Sequence, residues 1–205
     1  MPLKYRLIVG ISGASGAIYG VRLLEALKES PVETHLVMSR AAEMTLAYET
    51  DRTVKEVRAL ADVVYSVADI GAPIASGSFR TMGMVIAPCS VRSMAEIATG
   101  VTSSLLTRAA DVVLKERRRL VLMVRETPLH TGHLRNLVAL SEMGAIVAPP
   151  VPAFYAKPAS VADIVDHSVG RVLDLLGIET DLVRRWGEPP AAPGGRKTGV
   201  KRTRN

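Results

Sequence analysis

Ile8-Val-Gly-Ile-Ser-Gly-Ala-Ser-Gly-Ala-Ile-Tyr-Gly20 decides how the rest of this 205-residue chain is read. An apolar run from Tyr5 to Ile11 leads into it and has the composition of a buried strand. Glycines at 10, 13 and 16 then interrupt the run, and from Ala17 to Leu27 apolar residues return at helical spacing. The unit is therefore a strand, a tight Gly/Ser turn and a helix. A helix N-terminus offers unpaired N–H groups and the positive end of its dipole. Small residues let backbone approach an anion, and the hydroxyls of Ser12 and Ser15 can add donors. That combination suits a phosphate or nucleotide. The spacing is Gly-x-x-Gly-x-x-Gly, not the dinucleotide pattern Gly-x-Gly-x-x-Gly. A plain tight turn of a βα unit is the competing reading.

Working outward, Val32–Met38 reads as a second strand ending in Ser39-Arg40. A dinucleotide fold usually places an acid there to hold a ribose hydroxyl. Its absence argues against NAD, while Arg40 leaves NADP open. His35 falls inside the strand pattern and reads as structural. Helices are expected over 41–48 and 54–61, the latter capped by Thr53 with Glu56 completing a capping box. The stretch 69–79 has no sustained period and reads as a long surface loop.

Gly83–Ala87 is the next buried strand. Pro88-Cys-Ser90 ends it and a helix begins at Val91, so Ser90 and Ser93 repeat the geometry of the first junction. Cys89 has no nearby base in the sequence and reads as a small buried thiol. A helix over 105–114 ends in Lys115-Glu-Arg-Arg-Arg119, cations that also complement its dipole. Leu120–Val124 is a strongly apolar strand that runs directly into Arg125-Glu126. Open α/β sheets bind ligands outside the carboxyl ends of their strands. There an arginine can grip phosphate with its forked donors and an acid can move a proton. A helix over 129–143, a short strand over 145–148, a proline-stiffened loop carrying Tyr155, and a helix from Ser160 to Leu176 bearing Arg171 complete the pattern. His130, His133 and His167 lack metal-ligand spacing, and no metal site is expected. Five candidate strands interleaved with helices predict an α/β, Rossmann-like or flavodoxin-like three-layer sandwich with a mainly parallel sheet.

Composition excludes several alternatives. Aromatic residues are only 4%, too sparse for a base-stacking surface, so no nucleic-acid partner is expected. The net charge of +6 is concentrated after Glu188, where Arg196, Lys197, Lys201, Arg202 and Arg204 occur without an acid. Subtracting those five leaves +1 for the body. Residues 1–188 are therefore expected to form one domain and 189–205 a disordered basic tail. One cysteine excludes an internal disulfide. The N-terminus lacks a secretory pattern and no apolar run reaches transmembrane length, so a cytoplasmic protein without a membrane partner is expected.

Taken in order, seven short segments resemble the UbiX family of flavin prenyltransferases over roughly residues 5–188. They are Ser12-Gly-Ala-Ser-Gly-Ala17, Ala75-Ser-Gly-Ser78, Ala87-Pro-Cys-Ser90, Leu114-Lys-Glu-Arg-Arg118, Arg125-Glu-Thr-Pro128, Pro152-Ala-Phe-Tyr155 and Arg185-Trp-Gly187. Each is weak alone; their order is specific. The resemblance implies reduced FMN as prenyl acceptor, dimethylallyl phosphate as donor, and prenylated FMN as a product that serves a UbiD-type decarboxylase. It implies that Gly13, Ala14, Ser15, Ser39, Ser90, Val91, Arg92, Ser93 and Arg125 hold FMN. It further implies that Lys115, Arg125, Tyr155 and Arg171 surround the prenyl phosphate. Glu126 is implied as acid/base, with Lys115, Ser15 and Glu49 as further catalytic residues, Glu49 being presented across a subunit boundary. The family's assembly is a homo-oligomer of trimers paired into dodecamers. One departure is that some members carry a tryptophan near the position of Ile70, leaving the flavin face to stabilise the allylic cation here. Two alternatives are a flavoprotein cysteine decarboxylase and a non-catalytic FMN-binding accessory subunit. The former's histidine near the first helix and Pro-x-Met-Asn segment are absent from the sequence, and the latter needs only the flavin turns.

Overall fold

The computed structural model describes residues 5–28 and 30–187. The tail anticipated over 189–205 lies outside the described residues. Its predecessor is an α/β unit whose strands are short, apolar and parallel. The strands are β1 (Tyr5–Ile11), β2 (Val32–Met38), β3 (Val63–Tyr65), β4 (Gly83–Cys89), β5 (Arg119–Val124) and β6 (Ile146–Val147). The helices are α1 (Ala17–Leu27), α2 (Arg40–Glu49), α3 (Val54–Arg58), α4 (Val91–Ala98), α5 (Leu105–Lys115), α6 (Thr131–Glu142) and α7 (Val161–Leu175). The loop expected over 69–79 contains one 3-10 turn, Pro73–Ala75, and a second such turn spans Phe154–Ala156.

All pairings are parallel and the strand order is β3-β2-β1-β4-β5-β6. This is the doubly wound Rossmann order, which reverses between β1 and β4. Among the described residues there are six strands, which corrects the count of five. Residues 63–65 are too few to display an alternating pattern, and only their pairing with His35–Val37 makes them a strand. Tyr65 on β3 explains His35. The buried imidazole sits between the Tyr65 hydroxyl at 2.9 Å and the Glu33 carboxylate at 3.0 Å, a structural role.

The central strands send alternate side chains to opposite faces, because side-chain direction in a strand has a period of two. Leu7, Val9 and Ile11 pack with Val85 and Val121 against α1 and α7 through Leu24, Val169 and Leu173. Ile8, Met84, Ile86 and Leu122 pack on the other side against Met94, Leu106, Val113 and Leu140 of α4, α5 and α6. The result is three layers. Gly20 permits a close approach of α1 to β4: a Cβ at that position would lie 2.3 Å from the carbonyl oxygen of Ala87.

Helix starts follow local chemistry. Thr53 forms the expected capping box with Glu56, and Ser160 forms another with Asp163. Ser39, Ser90 and Ser104 cap α2, α4 and α5. All three of those helices begin on the carboxyl side of the sheet.

Candidate functional site

Past the end of the β1–β4 ladder, the backbone N–H and the hydroxyl of Ser12 carry the connection onward. Ser12 Oγ donates to the carbonyl of Pro88 at 2.8 Å and accepts from the backbone N–H of Ser90 at 2.7 Å. Ser12 is 1% exposed. Its expected availability as a ligand donor is therefore corrected: the hydroxyl is spent on joining the end of β1 to the end of β4. The following residue brings a second element close. A Cβ on Gly13 would fall 2.3 Å from Cβ of Ala41, so the glycine lets the β1–α1 turn rest on the first turn of α2.

Above this junction lies a cavity of about 580 Å³, within the range of small-molecule sites. Gly13, Ala14, Ser15, Ser39, Ser90, Val91, Arg92, Ser93, Arg125 and Glu126 all line it. Four sequence-distant segments thus meet in one place. The lining also includes residues that sequence reasoning did not assign to a site. These are Ala41, Val67, Glu96, Ser103, Ser104, Leu106 and Thr107, together with Arg40, weighed only as a phosphate contact. The available signal was the run Thr102-Ser-Ser104 before an apolar helix, which marks a cap but not the direction in which the helix points.

The electrostatics come largely from backbone. Ser39 accepts from Ala42 N at 3.0 Å, Ser90 from Ser93 N at 3.2 Å, and Ser104 from Thr107 N at 3.4 Å. The N-terminal ends of α2, α4 and α5 therefore open on the cavity together, each with the positive end of its dipole. The first helix differs. Glu49, at the end of α2, accepts from the N–H groups of Gly16 at 2.8 Å and Ala17 at 3.0 Å. The α1 N-terminus expected to offer free donors to an anion is already occupied by a carboxylate. An anion in the cavity is served by the three serine-capped helices instead.

Arg125 and Glu126 extend from β5 into the cavity. Backbone bonding fixes them, because Arg125 N donates to the carbonyl of Cys89 at 3.1 Å. Arg125 is exposed, and its charge helps to hold the Glu49 carboxyl below its ordinary range. One Glu126 oxygen accepts from Thr127 N at 2.9 Å. Cys89, beneath them, is fully buried, and desolvation pushes its thiol up to about 12. It is an inert packing residue, as expected.

The remaining donors do not reach this cavity within one chain. Lys115 pairs with Glu116 and lies against Gly77, where a Cβ would be 2.8 Å from the lysine Nζ. Arg118 donates to the carbonyls of Gly77 at 2.7 Å and Phe79 at 2.8 Å, which joins the segments Ala75–Ser78 and Leu114–Arg118. Tyr155 contacts His167 at 3.1 Å and packs edge-on to Trp186. Arg171 donates to Asp174 at 2.8 Å and borders a second hollow of about 340 Å³, which it shares with Arg185. Ile70 is 66% exposed. Among the described residues no group of three or more His, Cys, Asp and Glu side chains is placed to hold a metal ion, and no helix is long and apolar enough to cross a membrane.

Comparison with known proteins gives the family. The Flavoprotein family model matches residues 1–173. Flavin prenyltransferase UbiX of Escherichia coli K12 is 60% identical over 184 residues, covering 88% of this chain and 97% of that protein. The Thauera aromatica UbiX is 55% identical over 181 residues, with coverage of 88% and 93%. Among solved structures, AnUbiX (PadA1) in complex with FMN and dimethylallyl pyrophosphate superposes with a TM-score of 0.89 at 50% identity, covering 91% of this chain and 99% of that one. A dodecameric FMN-dependent UbiX-like decarboxylase from Escherichia coli O157:H7 gives 0.88 at 54% identity, with coverage of 89% and 100%. Cysteine decarboxylases such as SpaF, at 18% identity and a TM-score of 0.59, share the fold.

Proposed function

The chain belongs to the UbiX family of flavin prenyltransferases, and from that premise we propose that it joins a dimethylallyl group from dimethylallyl phosphate to reduced FMN in the cavity at the β1–β4 switch point. The observation that carries this reading is the convergence on one cavity of three serine-capped helix N-termini with Arg125 and Glu126. FMN fits that donor set. Its phosphate is dianionic and suits the helix ends and Arg40, while Val67, Val91 and Leu106 offer an apolar wall to a flat ring.

The reduced flavin supplies the nucleophile, and the protein's work is positional and electrostatic. Arg125, on the cavity wall, would supply forked donors to the bound phosphate groups. Glu126, beside it, manages the protonation of the departing phosphate or of the flavin nitrogen. Lys115, Tyr155 and Arg171 supply fixed donors to the phosphate, which is where negative charge grows as the allylic bond breaks. Because each lies away from the cavity in its own chain, we assign their action to a neighbouring subunit's cavity. A trimer-based dodecamer supplies the required neighbours, and one relative of similar structure is a dodecamer. Ser15 lines the cavity and Glu49 caps the turn that carries it, so the two would hold that turn against bound FMN.

Catalysis is placed in residues 1–188, with 189–205 outside it. The enzyme works in the cytoplasm without a metal, and its product passes to a UbiD-type decarboxylase. The test is anaerobic mixing of protein, reduced FMN and dimethylallyl phosphate, followed by mass analysis of the released flavin. A flavin heavier by one dimethylallyl group supports the proposal, and unaltered FMN at full occupancy overturns it.

A further inference from the structure

Tyr155 has one proton to donate, and the structure gives it a partner before any ligand arrives. Its hydroxyl lies 3.1 Å from Nε2 of His167. His167 is 8% exposed and sits on α7, and the neighbouring backbone of Arg184 favours protonation of its ring. A backbone group with that effect is an acceptor, a carbonyl facing a ring N–H. With that hydrogen on Nδ1, the neutral imidazole leaves Nε2 as an acceptor, and the Tyr155 proton points at it. With that orientation the phenolic oxygen turns only lone pairs outward, and lone pairs repel a phosphate oxygen.

We propose that His167 is a positioning residue for the donor phosphate: when Tyr155 turns its O–H to the phosphate, His167 takes up a proton at Nε2 and donates it to the phenolic oxygen. This rests on the reading of Tyr155 as a donor-phosphate ligand. The proton comes from solvent and stays on the imidazole; no bond to phosphorus or carbon changes. Tyr155 becomes at once an acceptor from His167 and a donor to phosphate, and the imidazolium adds a cation behind the phenol.

The surroundings are arranged for such a change. Burial, the leading effect, lowers the His167 pKa in the free protein, as does the Arg171 cation, while Asp174 and the Arg184 backbone act the other way. The facing charges are few and largely paired. On α7 itself Asp174 is shared by Arg171 and Arg185, and Asp166 is held by Arg22 of α1. Beyond Tyr155, the turn Phe154–Ala156 is tied to the C-terminal segment by Arg184, which donates to the carbonyl of Ala156 at 3.2 Å. A dianion arriving at Tyr155 favours the charged ring. Binding is therefore coupled to proton uptake, and affinity falls as pH rises through the His167 pKa of the complex, by up to about tenfold per pH unit.

The experiment is calorimetric titration of the protein loaded with oxidised FMN, which the reaction does not consume, with dimethylallyl phosphate. Runs in buffers of differing ionisation heat, from about pH 6 to about pH 8, give the number of protons taken up. Wild type should take up a substantial fraction of one proton more than His167→Phe, which subtracts the ligand's own titration. His167→Phe should bind with an affinity that is flatter in pH. His167→Gln, whose amide donates to the phenol without a proton from solvent, should also bind without the extra uptake. Equal uptake by wild type and both variants, with Tyr155→Phe binding more weakly, overturns the role of His167 alone. Unchanged affinity in Tyr155→Phe overturns the reading of Tyr155 on which it rests.

Discussion

The carboxylate of Glu49 caps the first helix at Gly16, accepting that residue's N–H at 2.8 Å and that of Ala17 at 3.0 Å. The two residues are 33 apart in sequence, and the contact fastens the end of α2 to the turn that shapes the cavity. It gives Glu49 a role inside its own chain, where the sequence offered none. Burial would raise the Glu49 pKa, but hydrogen bonds from Ser15, Gly16 and Ala17 and the charge of Arg125 outweigh it and lower the pKa overall. A carboxyl depressed in the folded state contributes stability above its unfolded pKa, and that contribution is lost as pH falls through the folded pKa. Glu49→Ala should cost about 1 kcal/mol near neutral pH, typical of a lost cap. The cost should fade in acid. Urea denaturation of wild type and variant at neutral and acidic pH checks both statements.

Gly13→Ala should be more damaging to the cavity than to the fold. Its Cβ would overlap that of Ala41, and relief requires α2 to move away from the β1–α1 turn. Overpacking of this kind costs about 1–3 kcal/mol. The protein should remain folded by circular dichroism but lose most FMN occupancy, read from the flavin absorbance of the purified protein.

Cys89 should be silent. A thiol pushed up to about 12 and fully buried holds almost no thiolate at neutral pH. Native protein should resist a thiol-reactive reagent and react only on unfolding, and Cys89→Ala should retain FMN and turnover. Rapid alkylation with loss of turnover would contradict the assignment.

These residues also show where sequence reasoning reached and where it stopped. The junctions at Gly13, Ser90 and Arg125 were legible because each couples an apolar run to small or charged residues at a strand end. β3 was not, since Val63–Tyr65 has no periodicity and exists through its pairing with β2. Ser12 looked like a ligand donor because only the folded sheet brings Pro88 to its hydroxyl. Ser104 and Thr107 carried no site signal, and their place in the cavity depends on which way α5 is laid across the sheet. Lys115, Tyr155 and Arg171 entered through family resemblance, and a single chain leaves each with a local partner.

If those three donors act on a neighbouring subunit, inactive variants should complement one another. Lys115→Ala and Glu126→Gln proteins, each slow alone, should regain a measurable fraction of turnover when co-expressed into mixed oligomers. Mixed oligomers without recovery would place Lys115 and Glu126 in the same chain's site.

The most direct test of the central claim, that this cavity performs prenyl transfer with Glu126 as its acid/base, is the single-turnover rate of prenylated flavin formation. Wild type and Glu126→Gln are compared at equal, verified FMN occupancy with saturating dimethylallyl phosphate. The account predicts prenylated flavin from wild type and a rate lower by about a hundredfold or more in the variant, the usual contribution of a positioned acid/base. Equal rates, or no prenylated flavin from fully loaded wild type, would contradict it.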